Sequence, residues 1–368
     1  MDNDFNRQAN IRKNEYLLKT EMLFKANKNR WFDDFTRHFL DTCTQIRVLQ
    51  GTATLNAMSY FSYIMLYNNF INRRYVAEIF VFNEKNYLSK SQQMIGEYDI
   101  SFLFVYFDEM WDDLIGLRKR YVGKVSARDV TCFMLKALPD FYSYLIIIAR
   151  FVVMENADNE LFASIDKNEI FKVKVGDYMS KNTTVYAENK IKDTDKLAKW
   201  FCERLYSTYI CGDYSGLDFS GKTFTFADFR WSQFKRSALN NTNFGSSDLS
   251  GVIFRGANME RCCMDYCSIY QADFSNANLK NASFKNAWAK AGLINNVEWQ
   301  AVGFLPTNYR NADLTGADFT GADLTGADFT GAVLNGADFT DAILDNAIFD
   351  GCMGDLNCSY HTRRYYLC

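Results

Sequence analysis

From Ala312 to Thr340 the chain reads ADLTGADFTGADLTGADFTGAVLNGADFT, with a large apolar residue at nearly every fifth position and a small one two places before it. A period of five matches neither the 3.6 of an amphipathic helix nor the 2 of a flat strand, so neither template predicts this backbone. Taking Leu314, Phe319, Leu324, Phe329, Leu334, Phe339, Leu344 and Phe349 as centres, the phase runs back through Phe284, Phe274, Phe254, Phe244, Phe234, Phe229, Phe224 and Phe219 to Tyr214. The residue two before each centre is usually small, and from Ala312 to Ala347 it is always alanine.

A chain that turns a corner after each five-residue piece, with four pieces to a coil, returns to the same face after twenty residues. Stacked coils of this kind make a solenoid, paired edge to edge at about 4.8 Å. The step predicts Leu314 over Leu334, Phe319 over Phe339, Leu324 over Leu344 and Phe329 over Phe349. It also predicts a largely aromatic face running Phe224, Phe244, Met264, Phe284, Phe304 and then Leu324, with its rings in offset contact.

These residues resemble the pentapeptide repeat family, whose loose consensus is A(D/N)LXX, over about Cys211 to Gly351. The resemblance implies a right-handed, four-sided β-helix. It implies no single activity, because the family includes topoisomerase inhibitors that imitate DNA, secreted effectors of pathogens and many proteins of unknown role. In some members the end of the solenoid forms a dimer, and the resemblance leaves a homodimer through the C-terminal end open here.

One stretch departs from the pattern. AWAKAGLINNVEWQAVGFLPTNYRNA keeps the phase, yet Ala289 and Trp299 take central positions and Pro306 follows Phe304 by two residues. A proline removes a ladder donor and a tryptophan is bulky for the interior, so a distorted coil or an extruded loop is expected near 287–310. Trp288, Trp299 and Tyr309 are its candidate contact residues. Residues 352–368 are expected to be a cap or interface tail, where Tyr360, Arg363, Arg364, Tyr365 and Tyr366 are of types enriched at interfaces.

Residues 1–192 follow another rule. NEYLLKTEMLFKANKNRWFDDFTRHFL and SFLFVYFDEMWDDLIGLRKRY place apolar residues at spacings of three and four, which predicts several helices of moderate length. Ser126 to Asp129 resembles a capping box before VTCFMLKAL, and Pro139 with Asp140 fits the first turn of a following helix. Alternation in NEIFKVKVGDYMSKNTTVYAENK predicts a small hairpin near 169–188. A helix over 193–210, with Leu197, Trp200, Phe201 and Leu205 along one stripe, is expected to cap the first coil and cover its open edge. The expected class is multidomain α + β: an α-rich N-terminal domain followed by a four-sided β-helix over 211–351.

Composition changes this picture little. The 368 residues are 48% hydrophobic, enough for sizeable cores, and 41 basic against 44 acidic residues argue against direct attraction to nucleic acid or an anionic membrane. The start lacks the layout of a secretion signal, and the longest apolar run, Tyr144 to Met154, is short and holds Arg150. The expectation is therefore no transmembrane segment and an intracellular (cytoplasmic) location or incorporation in a virion. Ten cysteines lack disulfide-framework spacing, so reduced thiols and an idle sequon at Asn182 are expected.

Candidate chemistry is sparse. His38 and His361 lie far apart, and no GxSxG, HExxH, Walker-type or dinucleotide motif is present, so no catalytic residue, cofactor or metal is expected. In RCCMDYC, Cys262 and Cys267 take inward small positions while Cys263 points outward, which fits core filling better than a tetrahedral metal site. Asp108, Glu109, Asp112 and Asp113 read as a solvated acidic helix face. Asp313, Asp318, Asp323 and Asp328 fall on four successive faces of one coil, a ring rather than the continuous stripe a DNA mimic needs. The reading is a non-catalytic structural or adaptor protein that docks with other proteins in a larger assembly, a minor capsid component of a large virus being one version. The alternative is a DNA-mimicking inhibitor of a type II topoisomerase or another pentapeptide-repeat effector.

Overall fold

Phe5, Ala9, Leu17, Phe24, Phe35, Phe39 and Ile46 recur at intervals that keep one side of a helix facing inward. They are all buried along one 49-residue helix, α1 (Asn3–Gly51), in place of the moderate helices expected. The computed structural model describes residues 3–83, 92–177, 182–190, 193, 209–289 and 305–354, and these described residues divide into two units, the first ending at Glu188 and the second starting at Asn189.

The first unit is built on a five-stranded sheet, of which the pattern predicted only the two strands near 169–188. The strands are β1 (Met58–Met65), β2 (Val76–Phe82), β3 (Gln92–Asp99), β4 (Lys167–Asp177) and β5 (Asn182–Asn189), in the order β3-β2-β1-β4-β5. The run MSYFSYIM shows no alternation because every residue of β1 is buried, as befits a central strand covered on both faces. β1 is antiparallel to β2, with Tyr60 opposite Phe82, and parallel to β4, with Tyr60 opposite Lys172. The strands near 169–188 are thus β4 and β5, an edge of this five-stranded sheet.

The helices α2 (Tyr67–Ile71), α3 (Val105–Arg118), α4 (Ala127–Glu155) and α5 (Glu160–Ala163) complete the unit. α1 packs against α3, α4 and α5, and it meets the sheet through Phe35 on Tyr63 at 5.2 Å and Phe39 on Phe61 at 6.2 Å. Ser126 caps α4: its hydroxyl accepts from the Asp129 amide and the Asp129 carboxylate accepts from the Ser126 amide. Pro139 does not start a helix. It lies inside the 29 residues of α4, held there by packing of the apolar stripe around Leu138, Phe141 and Leu145. α4 is long and apolar enough by length and composition to cross a membrane, and 67% of that window is buried inside the protein, as in a core helix.

The second unit is a stack of coils. Isolated parallel bridges join residues twenty apart, from Asp213 with Gln233 to Val333 with Met353, and backbone turns recur every five residues, giving four sides to each coil. Tyr209 already stacks on Phe229 at 4.9 Å, so the repeat begins two residues before Cys211. The cap expected over 193–210 falls, apart from Asp193, Tyr209 and Ile210, outside the described residues.

Where the pattern departs, the step changes. Asp273 bridges Asn308, Asn278 bridges Asp313, Ser283 bridges Asp318 and Trp288 bridges Asp323, each thirty-five residues apart. The excess over one coil is fifteen residues, three repeats, the length of 290–304. An insertion of three repeats keeps the phase of five and shifts the phase of twenty. The face expected to run Phe284, Phe304, Leu324 therefore runs Phe284, Phe319, Phe339, with Phe284 on Phe319 at 4.7 Å and 12° between the rings. Pro306 stands three residues before the centre Tyr309, at the position where other corners take φ > 0 that a proline ring cannot adopt.

Candidate interaction surface

Inside the coils the centres form four columns. Phe219, Phe224, Phe229, Phe234, Phe244, Phe254, Phe274, Phe284, Leu314, Phe319, Leu324, Phe329, Leu334, Phe339 and Leu344 are buried, with Phe349 at the last coil partly so. One column is aromatic throughout: Tyr214, Phe234, Phe254, Phe274, Tyr309, Phe329 and Phe349, with successive centroids 4.7 to 5.4 Å apart. Tyr309 is therefore a core residue and not the contact residue expected. Its ring is fully buried between Phe274 and Phe329, because the phase of five makes it a centre. Its hydroxyl has no hydrogen-bond partner, and burial pushes its pKa well above the ordinary tyrosine value.

Where the small inward position before the insertion is serine, threonine or cysteine, its side chain donates to the carbonyl of a residue twenty-three places earlier. Ser237 reaches Tyr214 and Thr242 reaches Phe219, both at 2.9 Å. Cys262 does the same to Leu239 at 2.7 Å and Cys267 to Phe244 at 3.1 Å, while Cys263 is only half-buried. Burial pushes the Cys262 and Cys267 thiols up to about 12, so they stay protonated and serve the coil as serine does. Among the described residues, no group of three or more His, Cys, Asp or Glu could hold a metal.

Corners demand φ > 0 at the second residue after each centre. Glycine fills it at Gly216, Gly316 and Gly331, and asparagine at Asn241, Asn276 and Asn311, the types for which this region costs least. Phe226, Trp231 and Tyr266 occupy the same slot at φ 58, 64 and 58. A bulky residue there costs about 1–2 kcal/mol. Trp231 has an evident compensation, for its ring covers the next corner so closely that a Cβ on Gly251 would lie 1.8 Å from it. Phe226 and Tyr266 are each 62% exposed. Sequence reading passed over both, although an aromatic in a slot of glycines and asparagines is a visible exception.

The outward aspartates serve the corners. Asp313, Asp318, Asp323, Asp328 and Asp338 each accept from the amide and the hydroxyl of the threonine two residues on, with hydroxyl distances of 2.6 to 2.7 Å. Lys280 reaches Asp313 at 3.1 Å, Lys285 reaches Asp318 at 3.0 Å and Arg310 reaches Asp328 at 2.7 Å. Burial alone would raise the Asp318 carboxyl, but Thr320 and Lys285 more than reverse it and hold it below the usual carboxylate range. Trp288 stands on one wall, 58% exposed, bridged to Ser268 below and Asp323 above. Trp299, Tyr360, Arg363, Arg364, Tyr365 and Tyr366 lie outside the described residues.

In the first unit the candidate groups are spent on the fold. Arg73 pairs with Asp108 and Asp112, and Arg12 with Asp113 at 2.7 Å. His38 sits among Phe35, Tyr63 and Tyr98, and burial lowers its pKa to about 4, with Asp41 opposing. An open groove of about 470 Å³ between α1 and α4 is lined by Asn6, Asn10, Lys13, Asp129, Cys132 and Lys136 among others. Its Asp129 accepts from the Ser126 amide in the α4 capping box and its Lys13 is paired with Asp140 at 2.8 Å, so two of its charges are already used.

No curated protein sequence matches the chain. Among solved structures, a form of QnrB1, a plasmid-mediated fluoroquinolone resistance protein, is 22% identical with a TM-score of 0.20, over 40% of this chain and 79% of that one. Rfr23, a pentapeptide repeat protein from the cyanobacterium Cyanothece 51142, is 19% identical with a TM-score of 0.22, over 44% and 98%. A pentapeptide repeat protein from the Arabidopsis thaliana thylakoid lumen is 29% identical with a TM-score of 0.15, over 33% and 67%. The family description "Pentapeptide repeats" matches in eight copies over residues 227–265, 266–289 and 308–352, leaving out the insertion. The solenoid of this chain, over those residues, belongs to the pentapeptide repeats.

Proposed function

We propose that the chain is a non-catalytic adaptor or structural protein. Its solenoid, taken as right-handed after its family, serves as a rigid spacer, and its outer surface docks with other proteins of a larger assembly. The observation that carries this reading is the use to which the outward aspartates are put. Their carboxylates accept from corner amides and threonine hydroxyls and pair with the coil below, which stiffens the wall and leaves few of them poised for proton transfer. The reading includes an intracellular setting, α4 as a core helix, no direct contact with nucleic acid, and a homodimer through the C-terminal end as one mode of assembly. The comparisons give a capsid role in particular no support.

A second reading, inhibition of a type II topoisomerase by DNA mimicry, is favoured by the charge of residues 305–354, where eight aspartates face a single basic residue, Arg310. Against it, three of those carboxylates are neutralised by Lys280, Lys285 and Arg310. Gentle lysis and size fractionation separate the two. Comigration with a defined particle at fixed stoichiometry is expected. A free monomer or dimer that blocks topoisomerase supercoiling activity overturns the adaptor reading in favour of the inhibitor.

A further inference from the structure

Phe226, Ser246, Tyr266 and Asn286 occupy one corner of four successive coils, as the bridges Thr223 to Asn243 to Cys263 to Ser283 place them. Phe226 and Tyr266 are therefore two coils apart, about 10 Å, with Gly245 and Ser246 between them. Both hold the left-handed conformation that glycine or asparagine takes at most corners. Whereas the ring of Trp231 lies over Gly251 of the next coil, both of these residues stand 62% exposed to solvent.

The wall beside this corner carries Trp288 and Ile343 in one column, 58% and 48% exposed, joined through Asp323. All three exposed large aromatics among the described solenoid residues thus lie on one edge and its adjoining wall. The same wall and its two corners hold Asp228, Asp248, Asp265, Asp323, Asp341 and Asp345 against Arg230 and Lys285, a net charge of -4 by count. Exposed rings among carboxylates favour a ligand that offers apolar side chains to the rings and cations to both rings and acids.

We infer that this edge is the docking surface for a basic, aliphatic-rich segment of a partner protein. An aliphatic side chain of that segment seats in the notch between Phe226 and Tyr266, and lysines or arginines reach Trp288 and the neighbouring aspartates. The placement of two aromatics where the backbone disfavours them is accounted for by contact made outside the chain. The inference rests on the docking reading above and names the chemistry of the partner.

The test uses the full chain and a synthetic peptide of alternating lysine and leucine, with a glutamate and leucine peptide of equal length as control. Phe226→Gly with Tyr266→Gly relieves the backbone and removes the rings. The double variant is expected to melt at the same temperature as the parent or higher, yet to bind the lysine peptide at least about tenfold more weakly. Trp288→Ala is expected to weaken binding in the same direction with an unchanged melting temperature. Retained affinity in the double variant, equal binding of both peptides, or no binding by the parent overturns the assignment. So does a loss of stability in the double variant, which would make the rings structural, or a parent dimer that the double variant dissolves. Failure here with comigration intact removes this surface and leaves the adaptor reading standing.

Discussion

Phe329 in the solenoid is ringed by Tyr309 and Phe349, each twenty residues away, and by Phe319 and Phe339, each ten away. Phe61 in the N-terminal unit is ringed by Phe39, Tyr63 and Phe171, at separations that share no period. Both rings are fully buried. In the first case a residue's surroundings can be computed from its number; in the second they depend on a sheet whose central strand pairs with the nearby β2 on one side and with β4, from a distant part of the chain, on the other. A solenoid couples each coil mainly to its neighbours, whereas the sheet and helices form one long-range unit.

That contrast can be broken by truncation of one ring in each unit, which gives the largest effect. Tyr309→Ala and Phe61→Ala should each cost about 3–5 kcal/mol by chemical denaturation. Amide exchange should tell them apart. For Tyr309→Ala the loss of protection is expected to concentrate in the coils that carry Phe274 and Phe329, and for Phe61→Ala to spread over β1, β2, β4 and α1. A uniform loss across the whole solenoid would contradict nearest-neighbour coupling.

The units should also differ in acid. His38 is held neutral in the fold with a pKa lowered by burial to about 4, against an ordinary 6.5. Between those values the unfolded chain binds the extra proton, so stability is full above about pH 6.5 and declines as pH falls toward 4. With allowance for partial exposure, the loss is about 2 kcal/mol, and His38→Gln should flatten the acid limb of the N-terminal transition. The solenoid contributes on the opposite side of that window. Asp313, Asp318 and Asp328 have lowered pKa values, so their stabilisation is present above the unfolded carboxylate pKa and lost only as pH falls through the folded values. An acid limb that persists in His38→Gln above pH 5 would place its cause elsewhere.

Within the solenoid, Tyr309 separates ring from hydroxyl. The hydroxyl is buried and unpartnered, and its neighbours in the column are phenylalanines. Tyr309→Phe should stabilise by about 1 kcal/mol, opposite in sign to Tyr309→Ala, because it removes a buried polar group without altering the stack. A destabilised Phe variant would reveal a partner for that hydroxyl.

Legibility followed the same division. The coil, its centres and its corner aspartates could be read because each depends on residues at fixed offsets. β1 could not, since MSYFSYIM is buried on both faces and so loses the alternation that marks a strand, and β3 reads QQMIGEYD, polar and half-exposed. Pro139 signalled a helix start by local propensity, and packing along α4 overrode it. The corner aromatics were readable as exceptions to the glycine and asparagine slot, but only the structure showed that Trp231 lies over Gly251 while Phe226 and Tyr266 are mostly exposed.

The smallest expected effect tests the register itself. Fifteen residues separate the thirty-five-residue step from a regular coil, and Pro306 occupies the slot where a corner needs φ > 0. Replacing residues 290–306 by Thr-Gly would join Ala289 to Thr307 through an ordinary corner, with Asn308 and Tyr309 keeping their places in the repeat. Loop closure depends only weakly on length, so stability should change by no more than about 1 kcal/mol. Phe274 should still stack on Tyr309 and Phe284 on Phe319, now twenty apart in sequence at each pair, which near-ultraviolet circular dichroism and a crystal structure of the variant would report. If the shortened chain loses cooperative unfolding of the coils above Ala289, the residues removed are part of the stack, and the fifteen-residue insertion is not the reason for the shifted register.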